Sequence, residues 1–282
     1  MRIPKAPAAG ETVWVAVSTR ERAAKAATRP SPAPAGRRSL SPDAVGNDDF
    51  GRRARQLWQH EGVAHQHVVT AGAPTMVGFI LVEPSGENRI AIAPGALDEL
   101  DAAAVASFRA EIASADILIV SMEIPEEAVL AALRAGRETG TRTLLNPAPA
   151  RPLPQESWPL IDVLTPNQTE APVLLGLDDG HGMSEEELAR ALQQRTAGTV
   201  VITRGAQGAL IAGTHGVTQV DPHPAPAVVD TTGAGDSFTA AFAVALARAT
   251  PLGAGVEFAA AAGSPTRCGS PASSPPCPPE PS

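Results

Sequence analysis

The chain has few of the residues on which secreted, membrane-bound and zinc-binding proteins depend. Among its 282 residues there is no tyrosine, and the only cysteines are Cys268 and Cys277. Two cysteines in a Pro/Ser-rich tail do not make a disulfide framework or a zinc site, so we expect a reduced, cytoplasmic setting. No apolar run reaches the ~18 residues of a membrane helix, and no signal-peptide core follows Met1. We therefore expect no membrane contact.

Positive charge is scarce as well, and two common catalytic motifs are absent. The formal net charge is −8, the only lysines are Lys5 and Lys25, and the arginines form no basic stripe. This composition argues against a nucleic-acid surface. There is no Gly-x4-Gly-Lys-Ser/Thr sequence, which excludes a P-loop ATPase. There is no Gly-x-Ser-x-Gly sequence either, so a serine hydrolase of that type has no support.

What the chain does contain is a regular alternation of strand-like and helix-like segments from residue 45 to 262. Residues 116–121 read as a buried strand, residues 125–140 as a helix that begins at a proline, and residues 199–203 as another strand. This alternation predicts an α/β protein with a doubly wound, mostly parallel sheet flanked by helices. Residues 78–95 instead predict two strands joined by a turn.

The two ends of the chain differ from this central part. Residues 1–44 are rich in Arg, Ala, Pro and Ser and have no clear period, so we predict a divergent, disordered N-terminal segment. Residues 263–282 form a Pro/Ser-rich tail. The predicted domain therefore spans residues 45–262.

The segment Asp230-Thr-Thr-Gly-Ala-Gly-Asp-Ser-Phe238 places two acids around a glycine-rich turn that leads into a helix. The N–H groups of Gly233, Ala234 and Gly235 would point their positive ends at the space in front of that helix and form an anion hole. The carboxylate of Asp236 would stand beside the anion, in reach of a hydroxyl, and stay ionised at neutral pH. This layout suits a kinase that deprotonates an alcohol. The alternative is a tight turn with a capping aspartate.

This segment and three others, in the same order, resemble the motifs of the ribokinase family of sugar kinases, also called the PfkB family. The others are residues 145–151, 164–170 and 201–208. The resemblance implies a ribokinase-like fold with a small β lid, formed here by the hairpin at residues 78–95, through which such kinases often dimerise. It also implies ATP-dependent phosphorylation of D-ribose to D-ribose 5-phosphate.

The resemblance further assigns roles to single residues. It makes Asp236 the catalytic base and a sugar contact, and it makes Glu123, at the end of the 116–121 strand, a second sugar contact. The implied nucleotide-binding residues are Asn167, Thr203, Arg204, Gly205, Ala206, Gln207, Gly208, Gly235 and Asp236.

Two kinds of cation follow from the same resemblance. Asn167 and Glu170 would order Mg²⁺ through water, although Asn-x-x-Glu is also a common helix-capping pattern. A potassium ion would be bound by residues on either side of the catalytic helix. These are Asp230, Thr232, Arg267, Gly269 and Ser273. The run of glutamates at residues 185–187 is most simply a solvated helix face.

One family feature is missing from the sequence. The Gly-Gly-Lys-Gly-Ala-Asn-like sugar loop of the family has no counterpart between Trp14 and Ser41, where a frameshifted segment would give the observed composition. Two alternatives therefore stay open: a related sugar or nucleoside kinase, or a catalytically impaired nucleotide-binding member. We expect poor solubility or an activity far below that of a complete family member.

Overall fold

In this computed structural model the structure describes residues 12–14, 43–82, 88–178, 180–223 and 233–263. The strands are β1 (Thr12–Trp14), β2 (Ala44–Gly46), β3 (Val69–Ala71), β4 (Val77–Val82), β5 (Asn88–Ala93), β6 (Ile117–Ser121), β7 (Arg142–Asn146), β8 (Val163–Leu164), β9 (Thr199–Thr203), β10 (Ala209–Gly213) and β11 (Gly216–Val220). The α-helices are α1 (Asp49–His60), α2 (Ala102–Ala106), α3 (Arg109–Ser114), α4 (Glu126–Thr139), α5 (Glu170–Leu175), α6 (Glu185–Arg195), α7 (Ala234–Ala247) and α8 (Leu252–Gly263). Short 3-10 helices cover Gly95–Glu99, Gln155–Leu160 and Gly205–Gln207.

The largest sheet has six strands in the order β11-β10-β9-β8-β7-β6. Strands β6 to β9 run parallel to one another, while β10 and β11 are antiparallel additions at one edge. Helices separate the parallel strands along the chain, as parallel connections require. The predicted doubly wound α/β architecture is confirmed.

Both faces of this sheet are buried under helices. The strands are nearly continuous apolar runs because alternate side chains enter cores on opposite faces. One core, which includes residues of α4 and α6, takes Leu145, Leu164, Val200 and Ile202 from the sheet. The other, which includes residues of α7 and α8, takes Leu144, Val163, Val201 and Ile211. The second core fixes α7 against the sheet, and α7 carries the predicted base.

The hairpin predicted at residues 78–95 is present as the antiparallel pair β4 and β5, in register from Val77↔Ala93 to Val82↔Asn88. Strand β1 joins it parallel to β5, which makes a separate three-stranded sheet. The turn at residues 83–87 lies outside the described residues. The small sheet is the counterpart of the expected lid.

Strand β6 departs from the sequence prediction of a buried strand. In the described part of the chain it pairs with β7 alone, and Ile119 is 45% exposed. Strands β2 and β3 form their own parallel pair rather than extending the large sheet beyond β6. The apolar run of β6 is thus open on one side. Within the described ranges no helix is long and apolar enough to cross a membrane.

Candidate active site

The predicted site residues stand where the parallel strands end. Glu123 follows β6 and Asn167 follows β8. Thr203, the last residue of β9, forms an isolated parallel bridge with Asn167. Because parallel strands share one carboxyl edge, side chains that are distant in sequence meet there.

The N-terminus of α7 lies at this edge, and its first backbone N–H groups have no hydrogen-bond partner among the described residues. Gly233 precedes the helix with φ of 75°, a left-handed conformation that favours glycine. The first helical bond runs from the Ser237 N–H to the Gly233 carbonyl at 2.9 Å. No described side chain caps the helix, and a Cβ on Gly235 would meet no described atom within 4 Å. Within the described residues, space is thus open beside Gly233 and Gly235, where the anion hole is predicted.

The charge of Asp236 acts on two other carboxyl groups near this helix end. Desolvation by burial, together with the negative charges of Asp236 and Asp43, raises the pKa of Glu123 to about 7. Burial likewise raises the pKa of Glu170 to about 7. The negative charge of Asp236 also raises this pKa, whereas the hydrogen bond from the Asn167 backbone N–H lowers it. The structure thus brings Asp236, Glu123 and Glu170 together.

The surroundings of Asp236 act against the helix dipole that was expected to keep its carboxylate ionised. Its side chain is open to solvent on one side, yet desolvation by the surrounding protein raises its pKa. Desolvation thus opposes the helix dipole, which favours the charged form. A base with a raised pKa binds the abstracted proton more strongly.

Two residues of this site were not assigned from the sequence. The Arg151 guanidinium donates to the carbonyls of Met122 and Ile124 at 2.6 and 2.9 Å, and so fixes the backbone on both sides of Glu123. Asp43 lies just before β2, and burial raises its pKa to about 6. The only indication of Arg151 in the sequence is its position at the end of the 145–151 motif. Nothing in the sequence indicates a role for Asp43.

Asn167 and Glu170 form the reciprocal capping pattern that the sequence left as an alternative. The Asn167 Oδ1 accepts from the Glu170 N–H at 2.8 Å, and the Glu170 Oε2 accepts from the Asn167 N–H at 2.8 Å. Thr169 also donates to Oδ1, from its N–H and its hydroxyl. No described hydrogen bond uses Asn167 Nδ2 or Glu170 Oε1, so capping leaves each residue one polar atom for a ligand.

The loop after β9 is held in a conformation that needs glycine. Gly208 has φ of 81°, and a Cβ there would lie 2.1 Å from the carbonyl oxygen of Val220. Gly205 has φ of 53° but open space around its Cβ position. Residues 205–207 form a single 3-10 turn closed by the Gln207 N–H to Arg204 carbonyl bond at 3.0 Å. Ala206 is exposed at its tip.

A groove of about 760 Å³ starts beside this loop and lies between the outer strands and α8. Its lining includes Val220 and Asp221 at the end of β11 and Glu257 and Ala260 on α8. One turn beyond Ala260, Gly263 packs against the Ala234 carbonyl at the start of α7. The end of the groove at Val220 and Asp221 therefore adjoins the loop after β9, where Gly208 packs against both residues.

The remaining predicted cation ligands cannot be placed. Asp230, Thr232, Arg267, Gly269 and Ser273 lie outside the described residues. Among the described residues no three His, Cys, Asp or Glu side chains are close enough to hold a metal ion together.

Comparison with known proteins identifies the family of this chain. The sequence profile of the pfkB family carbohydrate kinases matches residues 39–277. The chain belongs to this family. It is 34% identical to a ribokinase of Haemophilus influenzae, over 82% of this chain and 76% of that protein. It is 36% identical to a ribokinase of Schizosaccharomyces pombe, over 77% of this chain and 69% of that protein.

Solved structures agree with this placement in the pfkB family. A ribokinase from Thermotoga maritima has a TM-score of 0.71 and 30% identity, over 83% of this chain and 76% of that one. Arabidopsis thaliana ribokinase, solved with ribose and ATP, has a TM-score of 0.70 and 27% identity, over 80% of this chain and 75% of that one.

The raised pKa of Glu123 predicts a pH-dependent stability of this pfkB-family chain. A carboxyl whose pKa rises on folding contributes stability that is fully present below its ordinary pKa of 4.5 and is lost as pH rises through about 7. We expect Glu123→Gln to flatten the fall of Tm between pH 5 and pH 8 by a few degrees. Glu127→Gln, an exposed acid in the first turn of α4, is the control. Equal slopes in wild type and Glu123→Gln would contradict the assignment.

Proposed function

We propose that this chain is a ribokinase that transfers the γ-phosphoryl group of ATP to the terminal hydroxyl of D-ribose. The observation that carries the proposal is the α7 N-terminus, which no described side chain caps and which bears Asp236, whose charge acts on Glu123 and Glu170. An anion site next to a base is what phosphoryl transfer to an alcohol needs. The choice of D-ribose as the sugar substrate rests on the similarity of this chain to the ribokinases described above.

Asp236 acts as the general base in this proposal. Its ionised carboxylate accepts the proton of the ribose hydroxyl as the oxygen attacks the γ-phosphorus and the bond to the leaving ADP breaks. The N–H groups of Ala234 and Gly235 donate to the phosphoryl oxygens, where negative charge is spread in the transition state. Glu123, held by Arg151 through the two flanking carbonyls, accepts hydrogen bonds from other sugar hydroxyls.

Mg²⁺ fits the residues present at the Asn167–Glu170 turn. A buried carboxyl with one oxygen outside the capping pattern can hold a hydrated magnesium ion, which keeps most of its waters and takes few protein ligands. When bound, the ion neutralises charge on the β- and γ-phosphates. Glu170 would hold the ion in its ionised form, which a pKa of about 7 makes partly available at neutral pH. For K⁺, the proposed ligands are those that lie outside the described residues.

The nucleotide in this proposal runs from the anion hole along the loop of Thr203 to Gly208. The open space at the Cβ position of Gly205 lets the phosphates and ribose approach the backbone, while Gly208 lets the loop pack against the end of β11. The adenine occupies the adjoining end of the groove between β11 and α8. Dimerisation through the β1-β5-β4 sheet and a cytoplasmic location remain part of the proposal.

Calorimetry of the two ligands tests the proposal directly. We expect a non-hydrolysable ATP analogue with Mg²⁺ to bind, and ribose to bind more weakly than in a complete family member because the sequence lacks the sugar loop. Tight ribose binding beside undetectable nucleotide binding would contradict this division of the site. Nucleotide binding without turnover on ribose, but with turnover on another sugar or a nucleoside, would favour the related-kinase alternative. Nucleotide binding without turnover on ribose, on another sugar or on a nucleoside would favour the alternative of a catalytically impaired family member.

A further inference from the structure

Four polar side chains form a connected cluster beside the loop after β9. The Arg204 Nη1 donates to Oε2 of Glu185 at 3.1 Å, and its Nη2 donates to the carbonyl of Gln207 at 2.8 Å. The Gln168 Nε2 donates to Oε1 of Glu185 and, at 3.1 Å, to Oε1 of Gln207. We refer to Gln168, Glu185, Arg204 and Gln207 as the Glu185 cluster.

The central ion pair of this cluster is mostly withdrawn from solvent. The Arg204 side chain is 10% exposed and that of Glu185 is 36% exposed. The buried Nε of Arg204 has no hydrogen-bond partner among the described residues. A buried donor without a partner opposes folding, so stability alone does not account for an arginine at this position.

The Glu185 cluster joins three segments that are far apart in sequence. Gln168 lies in the turn between Asn167 and Glu170, Glu185 is the first residue of α6, and Arg204 and Gln207 belong to the loop after β9. Helix α6 is itself fixed by a reciprocal cap between Ser184 and Glu187. The cluster thus ties the nucleotide loop to a rigid helix end and to the proposed magnesium turn.

We propose that Glu185 and Arg204 are positioning residues for the nucleotide. Glu185 holds the Arg204 guanidinium, which holds the Gln207 carbonyl and so keeps the 205–207 turn in its ligand-binding shape before ATP arrives. Arg204 thereby acts through the loop rather than by pairing with phosphate. The inference rests on the proposed function and deepens it, and it replaces the reading of residues 185–187 as a uniformly solvated face.

The experiment compares two glutamates that stand side by side in the first turn of α6. Glu185→Gln removes the charge that holds Arg204. The control, Glu186→Gln, removes the charge of an exposed ion pair with Arg190 of the same 3.1 Å length, with side chains 59% and 55% exposed. Both variants lose one acid near the helix N-terminus, so the effect on the dipole is matched. The readouts are Tm, binding of a non-hydrolysable ATP analogue with Mg²⁺, and KM and kcat for ATP and ribose.

We expect Glu185→Gln to weaken binding of the ATP analogue and to raise KM for ATP by about tenfold. An exposed ion pair contributes almost nothing to holding two groups together and a buried one contributes much, and the half-buried Glu185–Arg204 pair lies between these cases. KM for ribose and kcat at saturating ATP should change less than about twofold, and Glu186→Gln should match wild type. Arg204→Gln should lower analogue affinity similarly, and the double variant should be no worse than either single one.

Three results would overturn the inference. The first is equal analogue affinity in Glu185→Gln and Glu186→Gln. The second is a fall in Tm that is accompanied by proportional losses in every kinetic constant, which indicates a purely structural pair. The third is wild-type protein that binds no nucleotide, which also overturns the proposed function and is distinguished from the first two by that wild-type measurement.

Discussion

Replacing Asp236 with asparagine should lower kcat for ribose phosphorylation by about 10²–10⁴-fold, the usual effect of removing a positioned general base. Asparagine keeps the size of the side chain but cannot accept the hydroxyl proton. The N–H groups at the start of α7 are backbone groups, so the anion site remains. Binding of a non-hydrolysable ATP analogue should therefore stay within a few-fold of wild type, or become tighter because one negative charge is gone.

The control for this prediction is Asp98→Asn. Asp98 is an exposed carboxylate in the short helix after β5, away from the strand ends that form the site. It should leave kcat unchanged. A coupled ADP assay gives kcat, and calorimetry gives the affinity for the analogue. If Asp236→Asn kept most of its turnover with ribose, another group would have to accept the proton.

The sequence predicted the catalytic half of the site because its residues lie in continuous segments. A glycine-rich turn followed by a helix specifies its own geometry, so Gly233 and Asp236 could be placed before any contact was known. The same holds for the strand and helix alternation between β6 and β9, where apolar runs and capping residues are local signals.

What the sequence could not predict depends on contacts between distant segments. Arg151 reaches the carbonyls that flank Glu123 from 27 to 29 residues away in sequence. The sequence does not distinguish Glu185 from its exposed neighbours, because the residue pattern of one helix cannot predict which side chain will contact a distant segment. The raised pKa of Asp236 is also a tertiary effect, since desolvation comes from all the atoms around it.

The exposed Ile119 is a similar case. A run of apolar residues in a parallel strand predicts burial on both faces only if strands continue on both sides. In the described part of the chain β6 has a neighbour on one side alone. The local pattern was read correctly as a strand, but its surroundings depend on which other segment lies next to it.

The second large effect is expected from Gly208→Ala. Gly208 has φ of 81° and ψ of −131°, a combination that is almost restricted to glycine and costs other residues about 1–3 kcal/mol. The new Cβ would also lie 2.1 Å from the Val220 carbonyl oxygen and 2.8 Å from the Pro222 nitrogen. Neither backbone atom can turn aside as a flexible side chain would. The loop or the end of β11 must therefore move, and both border the proposed nucleotide path.

We expect Gly208→Ala to lower the free energy of unfolding by at least about 2 kcal/mol. It should weaken binding of the ATP analogue by about 10²-fold, because strain of about 2–3 kcal/mol in the bound loop corresponds to that factor at about 1.4 kcal/mol per factor of ten. Gly205→Ala is the matched control. Gly205 has φ of 53°, and its Cβ would meet no described atom within 4 Å. It should therefore cost only the 1–2 kcal/mol of a left-handed alanine, and binding should change by less than about tenfold. Urea unfolding and calorimetry separate the two quantities. Equal nucleotide affinities in the two variants would mean that contact between the loop and β11 does not shape the nucleotide site.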